Sequence, residues 1–263
     1  MRGWKGPDAM KQPTGKVYLV GAGPGAPDLI TLRGAEVLGR ADVVFHDALV
    51  HPDVLALAAR AEKIAVGKRC GKFTTAQQFI NKRLVDAARK YQVVVRLKGG
   101  DPMLFGRAQE EIAALDAAAV PYEVVPGVTS ALAAAAEAGA SLTQRGVART
   151  VVFATPRVGE GEVPSNWASS AASADTAVIY MGAGQAKEVA AALIAAGTAR
   201  DTPVLVSENA SLPQARRIAL TLEELPQIAW YGITGPTLIM VGHAFAAALA
   251  AAEQEALQKY AKA

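Results

Sequence analysis

The first residues with possible chemistry form a glycine-rich loop, residues 21–28 (GAGPGAPD), directly after a short apolar run. Its first two glycines and Ala26 match the Gly-x-Gly-x-x-Gly/Ala pattern of dinucleotide binding, and Asp47 stands where a ribose-binding acid would follow. Pro24 and Pro27 weaken this interpretation, because proline lacks the backbone N–H that would hold a pyrophosphate. A tight turn that needs glycine for its dihedral angles is an equally good interpretation. The loop by itself leaves both open.

A second glycine-rich loop follows another apolar run and reads KGGDP over residues 98–102. Gly99 and Gly100 allow a ligand or another backbone to approach closely. Asp101 precedes a proline that fixes a turn, which exposes its carboxylate. Such an acid could accept hydrogen bonds from ribose hydroxyls or from an amino group. We therefore interpret this segment as a binding loop.

Charged residues open the helix that we predict after this loop. Arg107 stands at the helix N-terminus, where a cation is electrostatically unfavourable, so we interpret it as holding an anion. Glu110 and Glu111 follow in the first turns, where acids commonly pair with the helix dipole. For Glu111 we expect no role beyond that pairing.

A third loop, residues 124–130, ends in Thr129 and Ser130, which are good helix caps. Farther along the chain, Arg145 and Arg149 stand four residues apart and could simply be solvated. They could also form one basic pocket with cations of the earlier loops, namely Lys68, Arg69 and Arg107.

The elements that must position these loops alternate in the first half of the chain. β-rich runs at 16–20, 43–46, 64–66, 93–97 and 122–125 are separated by helical patterns at 31–40, 75–90 and 106–118. Such alternation indicates a parallel α/β sheet, and ligands of these sheets bind at the carboxyl ends of the strands. The three loops all follow strands, so we expect function at that edge.

The second half of the chain has a different pattern. Strands are predicted at 150–154, 177–181, 203–207, 216–220 and 237–241, with a helix at 186–196. The last three strands come in close succession, which favours a mixed or antiparallel sheet. We predict a loose extension over 1–15, an N-terminal α/β domain with a parallel sheet over 16–146 and a C-terminal α/β domain with a mixed sheet over 147–263.

Composition limits the class of protein. Of 263 residues, 51% are apolar and 19% charged, which excludes a disordered chain. Lone Cys70 excludes an intramolecular disulfide, and with only three histidines we expect no metal site. The net charge of +3 is too small for a general nucleic-acid surface. Residues 1–15 lack the apolar core of a signal peptide, and no run is long enough to span a bilayer. We expect a cytoplasmic protein without membrane or nucleic-acid partners.

Taken together, these loops resemble the tetrapyrrole methylase family, and within it the C-methyltransferases of uroporphyrinogen III. The matching stretches are 20–25 (VGAGPG), 28–31 (DLIT), 46–50 (HDALV), 66–69 (VGKR), 96–102 (RLKGGDP), 105–107 (FGR), 125–129 (VPGVT), 142–145 (LTQR), 180–181 (YM) and 234–238 (TGPTL). The resemblance runs from about Lys16 to His243. Each motif is weak alone, but their order and spacing are specific. The chain departs from the family pattern at Ala26, His46, Met103, Gln144 and Pro156.

The resemblance implies a homodimer of two α/β domains per chain, with the active site in the cleft between the domains. It implies S-adenosylmethionine as methyl donor, S-adenosylhomocysteine as product and uroporphyrinogen III as acceptor. Two successive C-methylations would give precorrin-1 and then precorrin-2 for sirohaem, cobalamin or haem d1 synthesis.

The resemblance also implies roles for individual residues. Asp47 would accept a proton and Lys68 would donate one. Arg107 would orient the substrate electrostatically, because an arginine stays protonated and is a poor base. Arg69, Glu110, Arg145 and Arg149 would bind the substrate, whose carboxylates need charge-assisted partners. The cofactor would contact Pro24, Gly99, Gly100, Asp101, Leu104, Thr129, Ser130, Met181, Ala210, Pro236, Thr237 and Leu238.

Three alternatives stay open at this point. The acceptor could be another corrinoid precursor, or RNA, which the small net charge disfavours. The chain could be a nucleotide-binding oxidoreductase or binding module that uses residues 21–26, although this leaves the loops at 99–101 and 125–129 unexplained. Met181 could be a core residue at the end of a strand rather than a cofactor contact.

Overall fold

A computed structural model describes residues 15–66, 73–159, 161 and 163–260. Lys68, Arg69 and Cys70 lie outside these ranges. The chain divides into two compact units, Met1–Val128 and Thr129–Ala263. This division falls earlier than the predicted boundary at 146/147. The reason is helix α5 (Ser130–Ala138), which packs against strand β10 (Thr237–Val241) of the second unit.

The described part of the first unit contains a five-stranded parallel sheet with the order β3-β2-β4-β1-β5. The chain leaves β1 towards β2 at one end of the sheet and leaves its neighbour β4 towards β5 at the other end. Ligands of α/β sheets bind at the carboxyl ends of strands where the connections change direction in this way. The sheet confirms the predicted α/β class. Its strands are β1 Lys16–Gly21, β2 Val43–His46, β3 Glu62–Ala65, β4 Val93–Lys98 and β5 Tyr122–Val125.

Helices cover both faces of this sheet. Local sequence explains where two of them begin: the side chain of Thr31 accepts a hydrogen bond from Gly34 N at 3.1 Å and caps α1, while Pro52 occupies the first turn of α2. Val20, Val44 and Leu97 are buried on one face, and Val17, Phe45 and Val94 on the other. Burial on both faces is typical of parallel sheets. The helices are α1 Leu32–Gly39, α2 Pro52–Ala56, α3 Phe73–Ala88 and α4 Ala108–Ala117.

A buried ionic cluster joins α4 to the end of β4. Glu111 is fully buried; its Oε1 accepts from Arg96 Nε at 2.9 Å and from Gln77 Nε2 at 3.3 Å, and its Oε2 accepts from Lys98 Nζ at 3.0 Å. Arg96 and Lys98 share one face of β4 because they are two residues apart. Burial, aided by the Arg96 charge and opposed by Glu111, lowers the pKa of Lys98. The expectation that Glu111 only pairs with the helix dipole is therefore wrong.

The described part of the second unit contains a mixed sheet, as predicted, and its strand order is β6-β7-β10-β8-β9. Only β6 and β7 pair in parallel among its ladders. Ile179, Val206 and Ile239 pack against Val189 and Leu193 of α7. No helix in the described ranges is long and apolar enough to cross a membrane. The remaining elements are β6 Val151–Ala154, α6 Trp167–Ala172, β7 Thr176–Tyr180, α7 Ala186–Ala195, β8 Pro203–Glu208, β9 Arg216–Thr221 and α8 Ala246–Tyr260.

We expect Glu111→Gln to lower the free energy of unfolding by about 3–5 kcal/mol, because it leaves the buried Arg96 and Lys98 charges without their counter-ion. The matched control is Glu110→Gln on the same helix, because the Glu110 side chain is 48% exposed. That change should cost less than about 1 kcal/mol. Urea denaturation followed by circular dichroism measures both. Equal losses in the two variants would contradict the role assigned to the cluster.

Candidate active site

Three loops meet at the carboxyl edge of the first sheet through their glycine backbones. Gly23 N donates to Gly100 O at 3.2 Å, and Gly100 N donates to Gly23 O at 2.7 Å. A Cβ on Gly21 would lie 2.6 Å from the Cα of Gly127, and a Cβ on Gly127 would overlap the carbonyl oxygen of Gly100. Only glycine fits at positions 21 and 127. The close approach expected at Gly100 is therefore made by another backbone.

The first loop does not have the geometry of a dinucleotide-binding turn. In that motif the glycines lead directly into a helix whose N-terminus binds the pyrophosphate. Here the loop continues into a short 3-10 turn, Pro27–Leu29, and α1 begins only at Leu32. The N-terminus of α1 is capped by the Thr31 side chain. The oxidoreductase alternative therefore lacks the phosphate site that it requires.

The carboxylate of Asp101 ties two of these loops together. Its Oδ2 accepts from Gly127 N at 2.8 Å, and its Oδ1 accepts from Met103 N at 2.7 Å. A carboxylate offers about four lone-pair positions, so Asp101 retains capacity to accept a ligand hydroxyl or amino group. Asp101 is at once a structural link and a candidate binding group.

Asp47 lies beside the same loop. Its Oδ2 accepts from Gly99 N at 3.3 Å and its Oδ1 from Leu49 N at 3.0 Å. The carboxylate also interacts electrostatically with the Lys98 ammonium. Asp47 and the Gly99–Gly100 pair are therefore brought together, as the sequence predicts for strand-end residues.

Arg107 already faces an anion within its own helix. Its Nε and Nη2 donate to the two carboxylate oxygens of Glu110 at 2.6 and 2.7 Å. The bidentate pair is accessible, because the Arg107 side chain is 42% exposed. Arg107 and Phe105 both have left-handed φ, 56° and 53°, on either side of Gly106. Glu110 is thus an anion of the kind that we inferred for Arg107. The strained backbone at Phe105 and Arg107 is typical of functional loops.

In the second unit, Thr129 and Met181 depart from their simplest structural roles. Thr129 occupies the N-cap of α5, yet its side chain makes no capping bond and instead lies 2.6 Å from the Tyr180 hydroxyl. Met181 follows β7 with a left-handed φ of 58° and is 42% exposed. The core interpretation of Met181 is therefore wrong.

The segment around Ala210 is linked to the residues before β10. Asn209 N donates to Pro236 O at 2.9 Å, and Ser211 N donates to Glu137 Oε1 at 2.8 Å. Asn209 and Ser211 both have left-handed φ, so Ala210 stands between two strained residues. Ala210 and Pro236, which the sequence places far apart, are neighbours in this unit.

Arg145 and Arg149 are exposed at a tight turn that the Gln144–Ala148 bridge closes. The backbone N–H of Arg149 donates to Asp175 Oδ2 at 2.8 Å. That hydrogen bond, with others from Thr150, holds the pKa of Asp175 below its usual value. Lys68 and Arg69 lie outside the described residues, so the basic pocket as a whole stays a prediction. Among the residues that the structure describes, no cluster of acids, histidines or cysteines could hold a metal ion.

Sequence reasoning missed several residues beside the loops, namely Lys98, Glu111 and Tyr180. A signal existed for Lys98, because it ends a strand (VVVRLK) whose other positions are mostly apolar. A signal also existed for Glu111, which falls on the buried stripe of α4 with Ala108, Ile112 and Leu115. No local pattern predicts the contact between Tyr180 and Thr129.

We expect Gly127→Ala to lower the free energy of unfolding by about 1–3 kcal/mol, because the new Cβ overlaps the Gly100 backbone. The control is Gly39→Ala at the exposed end of α1, where a Cβ meets nothing within 4 Å. That variant should be as stable as the parent or gain up to about 1 kcal/mol. Thermal and urea unfolding check both. A Gly127→Ala protein as stable as the control would show that the loops are not in contact.

Comparison with known proteins places this site in a family. The family model for Tetrapyrrole (Corrin/Porphyrin) Methylases matches residues 16–226. A siroheme synthase of Klebsiella pneumoniae is 45% identical over 236 residues, which are 89% of this chain and 50% of that protein. A siroheme synthase of Chromobacterium violaceum is 45% identical over 230 residues, 87% of this chain and 49% of its own. The chain thus spans about half the length of these curated relatives.

Solved structures agree with this assignment. Uroporphyrin III C-methyl transferase from Thermus thermophilus is 40% identical, with a TM-score of 0.76 over 88% of this chain and 93% of its own, and it has also been solved with S-adenyl homocysteine. A cobalt precorrin-4 methyltransferase is 34% identical, with a TM-score of 0.77 over 87% and 95%. The chain belongs to the tetrapyrrole methylase family, whose methyl donor is S-adenosylmethionine.

Proposed function

We propose that this protein catalyses the two successive C-methylations of uroporphyrinogen III that lead through precorrin-1 to precorrin-2. The observation that carries the proposal is the 40% identity to the Thermus thermophilus transferase over 93% of that chain. The siroheme synthase relatives support a place in sirohaem synthesis. We also propose a cytoplasmic homodimer, in line with the family resemblance.

The described residues fit S-adenosylmethionine. Asp101 retains acceptor capacity for ribose hydroxyls or the amino group, and its position is fixed by two backbone N–H groups. Exposed Met181 is held in a strained conformation at a strand end. We propose that the following residues bind the cofactor: Pro24, Gly99, Gly100, Asp101, Leu104, Thr129, Ser130, Met181, Ala210, Pro236, Thr237 and Leu238.

The proposed reaction requires mainly that the methyl donor and the pyrrole carbon are held in line and that a proton is removed. Bound S-adenosylmethionine supplies an electrophilic methyl group, and the electron-rich pyrrole is the nucleophile. Asp47 takes the proton that the methylated ring releases, because its carboxylate is fixed beside the cofactor loop by Gly99 N and Leu49 N. Lys68, outside the described residues, is proposed as the proton donor.

The substrate carries carboxylates that need charge-assisted partners. Arg107 presents a planar guanidinium that Glu110 orients bidentately, and its exposure leaves it accessible to the substrate. We propose that Arg69, Arg145 and Arg149 bind further carboxylates.

A second acceptor has one observation in its favour. The cobalt precorrin-4 methyltransferase has a TM-score as high as that of the Thermus transferase, although its identity is lower. A later corrinoid precursor is therefore the alternative substrate.

The direct test is methyl transfer by the purified protein. Labelled S-adenosylmethionine and enzymatically generated uroporphyrinogen III should give a product that carries two methyl groups by mass spectrometry. Calorimetry should show binding of S-adenosylhomocysteine and none of NAD, because the first loop lacks a helix N-terminus for the pyrophosphate. Transfer only to a later corrinoid precursor would favour the alternative acceptor, and a preference for NAD would overturn the methyltransferase assignment.

Arg107→Ala should lower kcat/KM for the tetrapyrrole by at least about a hundredfold, as expected for the loss of one oriented electrostatic group. Arg107→Lys should restore only part of the rate, because a point charge cannot reproduce the planar guanidinium that Glu110 orients. The control is Arg60→Ala, an exposed arginine that donates to Gly39 O and lies outside the proposed site. Steady-state assays and melting curves check all three. Full turnover by Arg107→Ala, or its unfolding, would contradict the substrate role.

A further inference from the structure

Glu208 at the end of β8 is a buried carboxylate that the proposed mechanism does not use. It is 2% exposed. Its Oε1 accepts from Thr234 N and from Gly235 N, each at 2.7 Å, and its Oε2 accepts from Arg216 Nε at 2.7 Å. One carboxylate thus holds two consecutive backbone N–H groups of the segment that leads into β10.

Arg216 extends this contact to the preceding turn. It pairs with Glu208 across the β8–β9 ladder. Its Nη1 donates to Tyr231 O at 3.0 Å and its Nη2 to Gly232 O at 3.1 Å. Between them, Glu208 and Arg216 bind four backbone groups of residues 231–235. This turn is therefore held by an ion pair rather than by a regular ladder.

The electrostatics favour the charged form of Glu208. Burial alone would raise the pKa of Glu208, but the N–H groups of Gly235 and Thr234 and the Arg216 guanidinium outweigh burial and hold the pKa below its usual value. Hydrogen bonds to a charged acceptor are the strong ones. The carboxylate therefore stays ionised and holds the turn at neutral pH.

The turn has little room to move. A Cβ on Gly235 would overlap the side chain of Asn209, and Asn209 N donates to Pro236 O at 2.9 Å. Thr237 Oγ1 donates to Gly235 O at 2.9 Å. Displacement of Gly235 would therefore displace Pro236 and Thr237 as well.

We propose that Glu208, supported by Arg216, is a positioning residue that fixes the backbone of residues 234–238 for S-adenosylmethionine. The inference rests on the proposed contacts of Pro236, Thr237 and Leu238 with the cofactor. Glu208 acts only through these residues. Its substitution should therefore weaken binding of the cofactor and leave binding of the tetrapyrrole unchanged.

The test compares Glu208→Gln with the parent. In this variant one carboxylate oxygen becomes an NH2 group, which cannot accept from Arg216 or from the turn, and the other becomes a weaker, uncharged acceptor. The dissociation constant for S-adenosylhomocysteine and the KM for S-adenosylmethionine should each rise about tenfold, as expected when a charged hydrogen bond is partly lost. The KM for uroporphyrinogen III should stay unchanged. Arg216→Gln should act in the same direction and Arg216→Lys should recover part of the affinity, because a lysine keeps the ion pair but not the fork.

Asp42→Asn is the matched control, because Asp42 Oδ2 also accepts from two consecutive backbone N–H groups, Gln92 N and Val93 N, at 3.0 and 2.8 Å. Asp42 precedes β2 at the opposite end of the first sheet from the loops. Its substitution should leave the affinity for S-adenosylhomocysteine at the parental value. A lower melting temperature of Asp42→Asn with parental affinity would show that a loss of stability by itself does not weaken cofactor binding.

Two results would overturn the inference: parental cofactor affinity in Glu208→Gln and Arg216→Gln, or equal rises of KM for both substrates. If Glu208→Gln does not fold, the Arg216 variants decide, since Arg216 is half exposed. A parent protein that binds no S-adenosylhomocysteine and transfers no methyl group would instead refute the proposed function. A parent that does both, with unaffected variants, refutes only the positioning role.

Discussion

The contact among Gly21, Gly100 and Gly127 is the constraint on which the rest of the candidate site depends. Their backbones approach so closely that no side chain fits between them. This contact brings together loops from β1, β4 and β5, whose strands already share one edge of the sheet. The carboxylates of Asp101 and Asp47 then bond to backbone N–H groups within the same loops. The position of the chemical groups therefore follows from backbone packing, and side-chain choice comes second.

Strand β4, which leads into one of these loops, carries two buried charged side chains near its end, Arg96 and Lys98. Arg96 and Lys98 share Glu111, which leaves one excess positive charge in a buried cluster. Burial of charge is costly, and apolar residues of similar size would often be as stable. The Lys98 ammonium also interacts electrostatically with Asp47 on the neighbouring loop, which is the proposed proton acceptor.

Local patterns predicted most of the fold. Alternating strands and helices indicated the parallel sheet, and glycine-rich loops after strands marked the edge where the three loops meet. The patterns did not predict the partners of individual side chains: Arg107 pairs with Glu110 of its own helix, Glu111 is buried, and Thr129 contacts Tyr180. These pairings depend on helix orientation and on contacts between distant segments. The end of the first unit also depends on such contacts, because α5 packs against β10, the last strand in the described part of the chain.

Both units fix their irregular segments by the same physical means, a carboxylate that accepts backbone N–H groups. Asp101 does so in the first unit, and Asp175 and Glu208 do so in the second. At Asp175 and Glu208 these bonds favour the ionised form and lower the pKa of the carboxyl group. A group with a lowered folded-state pKa stabilises the fold above its unfolded-state pKa, about 4 for these acids, and that contribution is lost as the pH falls through the folded-state pKa. Acid therefore weakens turns such as 231–235, which are held by a carboxylate rather than by a strand ladder.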